Sequence, residues 1–198
     1  MKRIGLLGCG AIGTQIAIAI DTGIIPAQLT HIFDSDKKNA ESLLTKLKQK
    51  PIIVENAHLL SSNHVDLVVE AASQQAVSDN ALSILQNRRD LMIMSAGALL
   101  DESVFEIISD ACSEFKKTVY LPSGAISGVD AIKSVRDELD SVTIITWKHP
   151  RSLKGAKFFE TSDIDPDNIS DETQLFEGTA SEAVRLFPKN VNVSALLS

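Results

Sequence analysis

Ile4-Gly5-Leu6-Leu7-Gly8-Cys9-Gly10-Ala11-Ile12-Gly13 is the stretch on which the reading of the fold turns. Ile4 to Leu7 has the apolar character of a short buried strand, and it runs directly into closely spaced glycines. Ala11 to Asp21 follows as a helix of small and apolar residues. A second strand, Leu29 to Phe33, then ends at Asp34. The alternation continues outward. Lys37 to Gln49 carries Leu43, Leu44 and Leu47 among charges, a helical stripe with one solvated face. Ile52 to Val54 and Val65 to Val69 read as strands, Gln75 to Asn87 as a helix and Leu91 to Met94 as a strand. Glu102 to Phe115 is an amphipathic helix, and Val119 to Leu121 a further strand before Pro122. Strands separated by helices require right-handed crossovers and a parallel sheet, so the class is α/β, a doubly wound sheet.

Each glycine of the turn has its own reason. Gly8 permits a tight turn at positive φ, Gly10 lets an anion approach the backbone, and Gly13 lets the helix pack closely on the sheet. Such a turn places phosphates at a helix N-terminus, where free N–H groups and the macrodipole favour negative charge. A glycine pattern alone is weak evidence. Preceded by a strand, opening a helix and followed by a strand ending in an acid, it is the Rossmann dinucleotide fingerprint, with Gly8, Gly10, Ala11, Ile12 and Gly13 as cofactor contacts. Asp34 would accept hydrogen bonds from the adenosine ribose hydroxyls and repel a 2′-phosphate, which predicts NAD in preference to NADP. The alternative is a glycine-rich turn that binds nothing, or a flavin or coenzyme A phosphate. Cys9 occupies a variable position of the turn and reads as simply a small residue.

Composition agrees with a folded domain. Of 198 residues, 44% are hydrophobic and 23% charged, which excludes a disordered chain. A net charge of −7 with a pI near 5.1 gives no footprint for nucleic acid or an anionic membrane. Cys9 and Cys112 lack metal or CxxC spacing, so neither a disulfide framework nor a metal site is expected. The N-terminus has no signal-peptide pattern and no stretch is long and apolar enough to span a bilayer, which together predict a cytoplasmic location.

Further candidates sit at strand ends. Ala71-Ala72-Ser73 and Ser95-Ala96-Gly97 follow predicted parallel strands, where ligands of doubly wound sheets bind, and their small side chains leave room for a nicotinamide ribose. Ordinary strand–helix turn chemistry is the equal alternative. Beyond Pro122 the character changes, and a domain boundary is placed near residue 121, giving domains of 1–121 and 122–198. Ser123 and Gly124 open a small-residue turn feeding a helix near Val129 to Val135, and its amides could hold a carboxylate. Lys148 and Arg151 could supply the charge partner of a substrate acid group, although each reads more simply as a surface cation. Val142 to Trp147 alternates as a half-buried strand, Gln174 to Glu177 as one more, and Ala180 to Phe187 as a helix. The acidic stretch Ser162 to Thr173 reads as a solvated loop. His149 is the most tempting acid–base group but lies in a loop, and His31, His58 and His64 have no metal spacing. No residue stands out as catalytic.

Four segments occur in an order that resembles the L-aspartate dehydrogenase family, in its archaeal and bacterial form, over essentially the whole chain. They are Gly8 to Gly13, Glu70-Ala71-Ala72-Ser73, Pro122-Ser123-Gly124-Ala125-Ile126-Ser127-Gly128-Val129-Asp130-Ala131 and Phe187-Pro188-Lys189-Asn190-Val191-Asn192-Val193. The glycine turn is shared by many families; the Pro-Ser-Gly-Ala-Ile and Phe-Pro-Lys-Asn-Val-Asn-Val segments are far more specific. The resemblance implies NAD(P)-dependent oxidation of L-aspartate to iminoaspartate, which hydrolyses to oxaloacetate and ammonia or feeds NAD biosynthesis. It also implies a Rossmann domain joined to a smaller, incomplete α+β domain for substrate and dimerisation, and a homodimer.

By the same resemblance, Ala125, Asn190 and Asn192 contact the cofactor near its nicotinamide end. Lys148 stands in a segment near the substrate, where the family usually has Arg at the position of Trp147. The family's catalytic histidine follows the Asn-Val-Asn-Val segment, and none of the four histidines here matches it. The expectation on that basis is a chain that binds NAD and turns over aspartate poorly or not at all. The competing expectations are another Rossmann reductase of a small acid or aldehyde, and a non-catalytic NAD-binding module.

Overall fold

The computed structural model describes residues 1–62, 64–124 and 128–187. Contacts divide the chain into two units, Met1–Pro122 and Ser123–Ser198. The first alternates strand and helix: β1 (Lys2–Leu7), α1 (Ala11–Asp21), β2 (Ala27–Phe33), α2 (Lys37–Lys46), β3 (Ile52–Ile53), β4 (Leu67–Glu70), α3 (Gln74–Gln86), β5 (Asp90–Ile93), α4 (Glu102–Phe115) and β6 (Val119–Tyr120). The six strands form one sheet in the order β3-β2-β1-β4-β5-β6, and every pairing is parallel. The order reverses between β1 and β4, which makes their carboxyl ends the switch point of a Rossmann-type sheet.

Period-two alternation decides which layer each strand residue enters. Ile4, Leu6, Ile32, Leu67 and Val69 face α1 and α2, where Ala17, Ile20, Ala40 and Leu43 meet them. Leu7, Val68, Leu91 and Ile93 belong to the opposite core, with Val77, Ala81, Ile84 and Leu85 of α3 and Ile108 and Ala111 of α4. Leu6, Ile32, Leu43 and Leu85 are completely buried. Each such side chain contributes about 1.5–3 kcal/mol relative to exposure.

α2 stops at Lys46, short of the Gln49 expected from its leucines, because side chains and backbone groups past that point bind elsewhere. Lys50 Nζ donates to the carbonyls of Leu44 and Leu47, and Asp21 accepts the amides of Lys48 (2.9 Å) and Gln49 (2.8 Å).

The second unit contains α5 (Val129–Ser134), α6 (Phe158–Thr161) and α7 (Ala180–Leu186). Leu153, Ala156 and Phe187 are its buried apolar cluster, with Phe158 stacked on Phe187 at 5.3 Å between centroids. A capping box opens α7: the Glu182 amide donates to Thr179 Oγ1, and the Thr179 amide to Glu182 Oε2 at 2.8 Å. The strands expected over residues 142–147 and 174–177 are not formed. Both runs have β-favouring residues, but a strand exists only through a ladder, and among the described residues neither has a strand partner. Ile145 and Trp147 are instead largely exposed, and Trp147 Nε1 donates to Glu172. The carboxylates of the 162–173 loop are exposed, with Asp167 paired to Lys154 at 2.5 Å.

Candidate functional site

Gly8, Gly10 and Gly13 are distinguished by what a Cβ would meet at each. Gly8 has φ +100°, and a Cβ there would lie 2.6 Å from the Ala71 carbonyl oxygen and 2.8 Å from the Ala72 Cβ. At Gly13 a Cβ would fall on the Gly8 carbonyl oxygen. At Gly10 it would meet nothing within 4 Å. Gly13 therefore closes the turn against its own backbone and Gly8 against residues 71–72, while Gly10 leaves open a space that protein atoms do not fill.

That space faces an N-terminus with free donors. α2, α3 and α4 are capped by the side chains of Asp36, Ser73 and Asp101, whereas α1 has Gly10 as its N-cap, with no side-chain cap and no acid in its first turn. The first amides of α1 are left for an anion, with the helix dipole aligned to favour it. An open cleft of about 660 Å³ borders the turn, lined by Gly10, Ala11, Ile12, Asn39, Ser42 and Lys46.

Asp34 is held rather than loose. Its Oδ2 accepts the Cys9 amide at 2.7 Å, and its Oδ1 accepts the Asp36 amide at 2.9 Å and Asn39 Nδ2 at 3.2 Å. The carboxylate is thereby fixed between the glycine turn and the start of α2, with lone pairs left for hydroxyl donors. These features fit a dinucleotide: an open backbone cradle for the pyrophosphate and an oriented acceptor for the ribose. Cys9 is buried, and burial first, then the Asp34 charge, pushes its thiol up to about 12, so it serves as packing rather than as a nucleophile.

The other sequence candidates divide by unit. Ala71, Ala72 and Ser73 lie beside the glycine turn: the Ala71 amide donates to the Leu7 carbonyl at 2.8 Å, and Ser73 caps α3. Ser95, Ala96 and Gly97 follow β5 and are buried. Ser123, Gly124 and Lys148 belong to the second unit, where Gly124 and Lys148 are exposed. His149 Nδ1 accepts the Arg151 amide at 3.2 Å and caps a short 3-10 turn. Ala125, Asn190 and Asn192 lie outside the described residues. Sequence reasoning assigned no role to Glu70 or Asn39. The available signal for Glu70 was an acid ending an otherwise apolar strand, Leu67-Val68-Val69.

Residues 130–198 match a family model described as aspartate dehydrogenase, C-terminal, and residues 8–122 one described as homoserine dehydrogenase, NAD binding domain. The chain is 67% identical to an L-aspartate dehydrogenase of Nitrosopumilus maritimus, covering all of this chain and 73% of that one. Identity to an L-aspartate dehydrogenase of Methanocella arvoryzae is 45%, with the same shares of the two chains covered. Among solved structures, the aspartate dehydrogenase of Thermotoga maritima superposes with a TM-score of 0.73 at 28% identity, over all of this chain and 72% of its own. An NAD-binding fold in the first unit and an aspartate dehydrogenase C-terminal segment in the second agree with these relatives throughout, and the chain belongs to the L-aspartate dehydrogenase family.

Proposed function

We propose that this protein is an NAD-dependent L-aspartate dehydrogenase. The observation that carries the reading is the pairing of the open cradle at Gly10 with the fixed carboxylate of Asp34, in a chain of this family. Gly8, Gly10, Ala11, Ile12 and Gly13 would hold the pyrophosphate through backbone groups, and Asp34 the adenosine ribose. Bound there, the nicotinamide would accept the hydride from Cα of L-aspartate, the amine losing a proton, to leave iminoaspartate. The residues' own contribution is binding and orientation: the α1 amides neutralise phosphate charge, and Asp34 disfavours a 2′-phosphate by like-charge repulsion.

The first unit is assigned to the cofactor, with Ala71, Ala72 and Ser73 toward its nicotinamide half. The second is assigned to substrate and dimerisation, with Ser123, Gly124 and Lys148 for the carboxylates of L-aspartate. The family resemblance supports Ala125, Asn190 and Asn192 as further cofactor contacts. Ile145 and Trp147, exposed in the second unit, support a homodimer in which a second copy covers them. No described helix is long and apolar enough to cross a membrane, and the reading places the enzyme in the cytoplasm.

The test is NADH formation, read by absorbance, by the purified protein with NAD and L-aspartate. Aspartate-dependent NADH, slower when NADP replaces NAD, is the result this reading expects; NAD binding without aspartate-dependent NADH would favour instead the expectation, drawn from the family's catalytic histidine, of poor or no turnover. No response to aspartate, with turnover of another small acid, would overturn the substrate assignment.

A further inference from the structure

Among the described residues Glu70 is the only fully buried acid, 1% exposed at the carboxyl end of β4. Burying a carboxylate is costly unless donors replace its water. Here Oε1 accepts the Ala72 amide at 2.7 Å and the Ser95 hydroxyl at 2.8 Å. Oε2 accepts the amides of Ser95 at 3.0 Å and Met94 at 3.2 Å. One side chain thus ties together two turns that the β4–β5 ladder already brings close, the Met94 amide also donating to the Glu70 main-chain carbonyl at 3.1 Å: residues 71–73 after β4 and residues 94–95 after β5.

The position of this bracket gives it a consequence for the cofactor. Asp34, at the end of β2, assigns the adenosine half to the β2 side of β1, so the nicotinamide half must cross the switch point to the ends of β4 and β5. The bracketed turns are the ones it meets there. The first also packs directly on the glycine turn, since the Ala71 carbonyl and the Ala72 methyl are what forbid a Cβ at Gly8. An apolar residue of the same volume would leave the Ala72 and Ser95 amides without this acceptor, so the carboxylate holds the two turns by satisfying their donors.

We propose that Glu70 is a positioning residue for the nicotinamide half of the cofactor, acting through the turns it clamps and not by touching the reacting atoms. The proposal rests on the cofactor reading above. Glu70→Gln tests it, because the amide nitrogen cannot accept a backbone N–H and breaks either the Ala72 bond at one oxygen or the Met94 and Ser95 amide bonds at the other. Calorimetric titration of the full protein with NAD and with ADP-ribose, which lacks only the nicotinamide, separates the nicotinamide ring from the riboses and phosphates that both ligands share.

The expected result is a Kd for NAD raised about tenfold in Glu70→Gln with that for ADP-ribose within about twofold. Parallel weakening of both ligands, or no change in either, would overturn the proposal, the first by showing a merely structural role. Should Glu70→Gln not fold, Ser95→Ala decides by the same comparison, since it removes one of the four bonds and keeps the backbone donors. It is expected to weaken NAD about threefold and leave ADP-ribose unchanged. A wild-type protein that binds neither ligand would instead remove the cofactor reading itself.

Discussion

The first unit sets six parallel strands between two helical layers, with an apolar core on each face of the sheet and its long helices held at their starts by side chains or by the glycine turn. The second, over its described residues, has three short helices and a small phenylalanine-centred cluster, while Ile145 and Trp147 stand in solvent. The difference lies in where the structural information resides. In the first unit, each element is stabilised by neighbours whose pattern is written close by in sequence, and the site grows from those elements' ends. In the second, β-favouring runs have no ladder to join among the described residues, and their propensity alone does not make strands.

The largest way to break the first unit from within its site is Gly13→Ala. The new methyl falls on the Gly8 carbonyl, a backbone atom that cannot move without opening the turn. A loss of about 3 kcal/mol in unfolding free energy is expected, together with loss of NAD binding, measurable by denaturant melts and calorimetry. Unchanged stability would mean that the turn is looser than the contacts imply.

A smaller effect is expected at the amino edge of the sheet. Arg3 donates to Asp66 through Nε (3.1 Å), Nη2 (2.6 Å) and its own amide (2.8 Å). The Arg3 side-chain hydrogen bonds, then its backbone amide, hold the Asp66 carboxyl well below the usual carboxylate range. A depressed folded-state pKa gives stability that is present above the unfolded value of about 3.9 and lost as pH falls through the folded one. Asp66→Asn should therefore melt at a lower temperature than wild type near neutral pH, with the gap closing under acid. A gap that widened under acid would contradict the assigned cause.

The smallest effect sharpens the role of Cys9. With its thiol pushed up to about 12, Cys9 should resist alkylation in the native protein near neutral pH and react only on unfolding. Burial also raises the Cys112 thiol, though this residue is only partly buried. Rapid native labelling at Cys9, located by peptide mass, would show that the turn opens readily.

Much of the candidate site is legible in the sequence, because Gly8 and Gly13 shape the turn through backbone geometry and strand position brings Asp34 against it. What was not legible depends on contacts distant along the chain. Glu70 shows in the sequence only as an acid following an apolar strand, and its burial depends on Met94 and Ser95 being brought against it. Asn39 looks like an ordinary helix residue until its amide reaches Asp34. The end of α2 was misjudged for the same reason, since Asp21 and Lys50 capture groups that the leucine spacing assigned to the helix. Ala125, Asn190 and Asn192 were named by resemblance alone and lie outside the described residues.

Gly10→Ala provides the most direct test of the central claim, that this glycine exists for the cofactor and not for the fold. Gly10 has φ −69°, which alanine adopts, and its Cβ would meet no protein atom within 4 Å. The measurement is NAD affinity of wild type and Gly10→Ala by calorimetry, beside their melting temperatures without ligand. An unchanged melting temperature with NAD binding weakened by at least about tenfold is the result expected. Wild-type affinity in Gly10→Ala would contradict the account and move the pyrophosphate away from this turn.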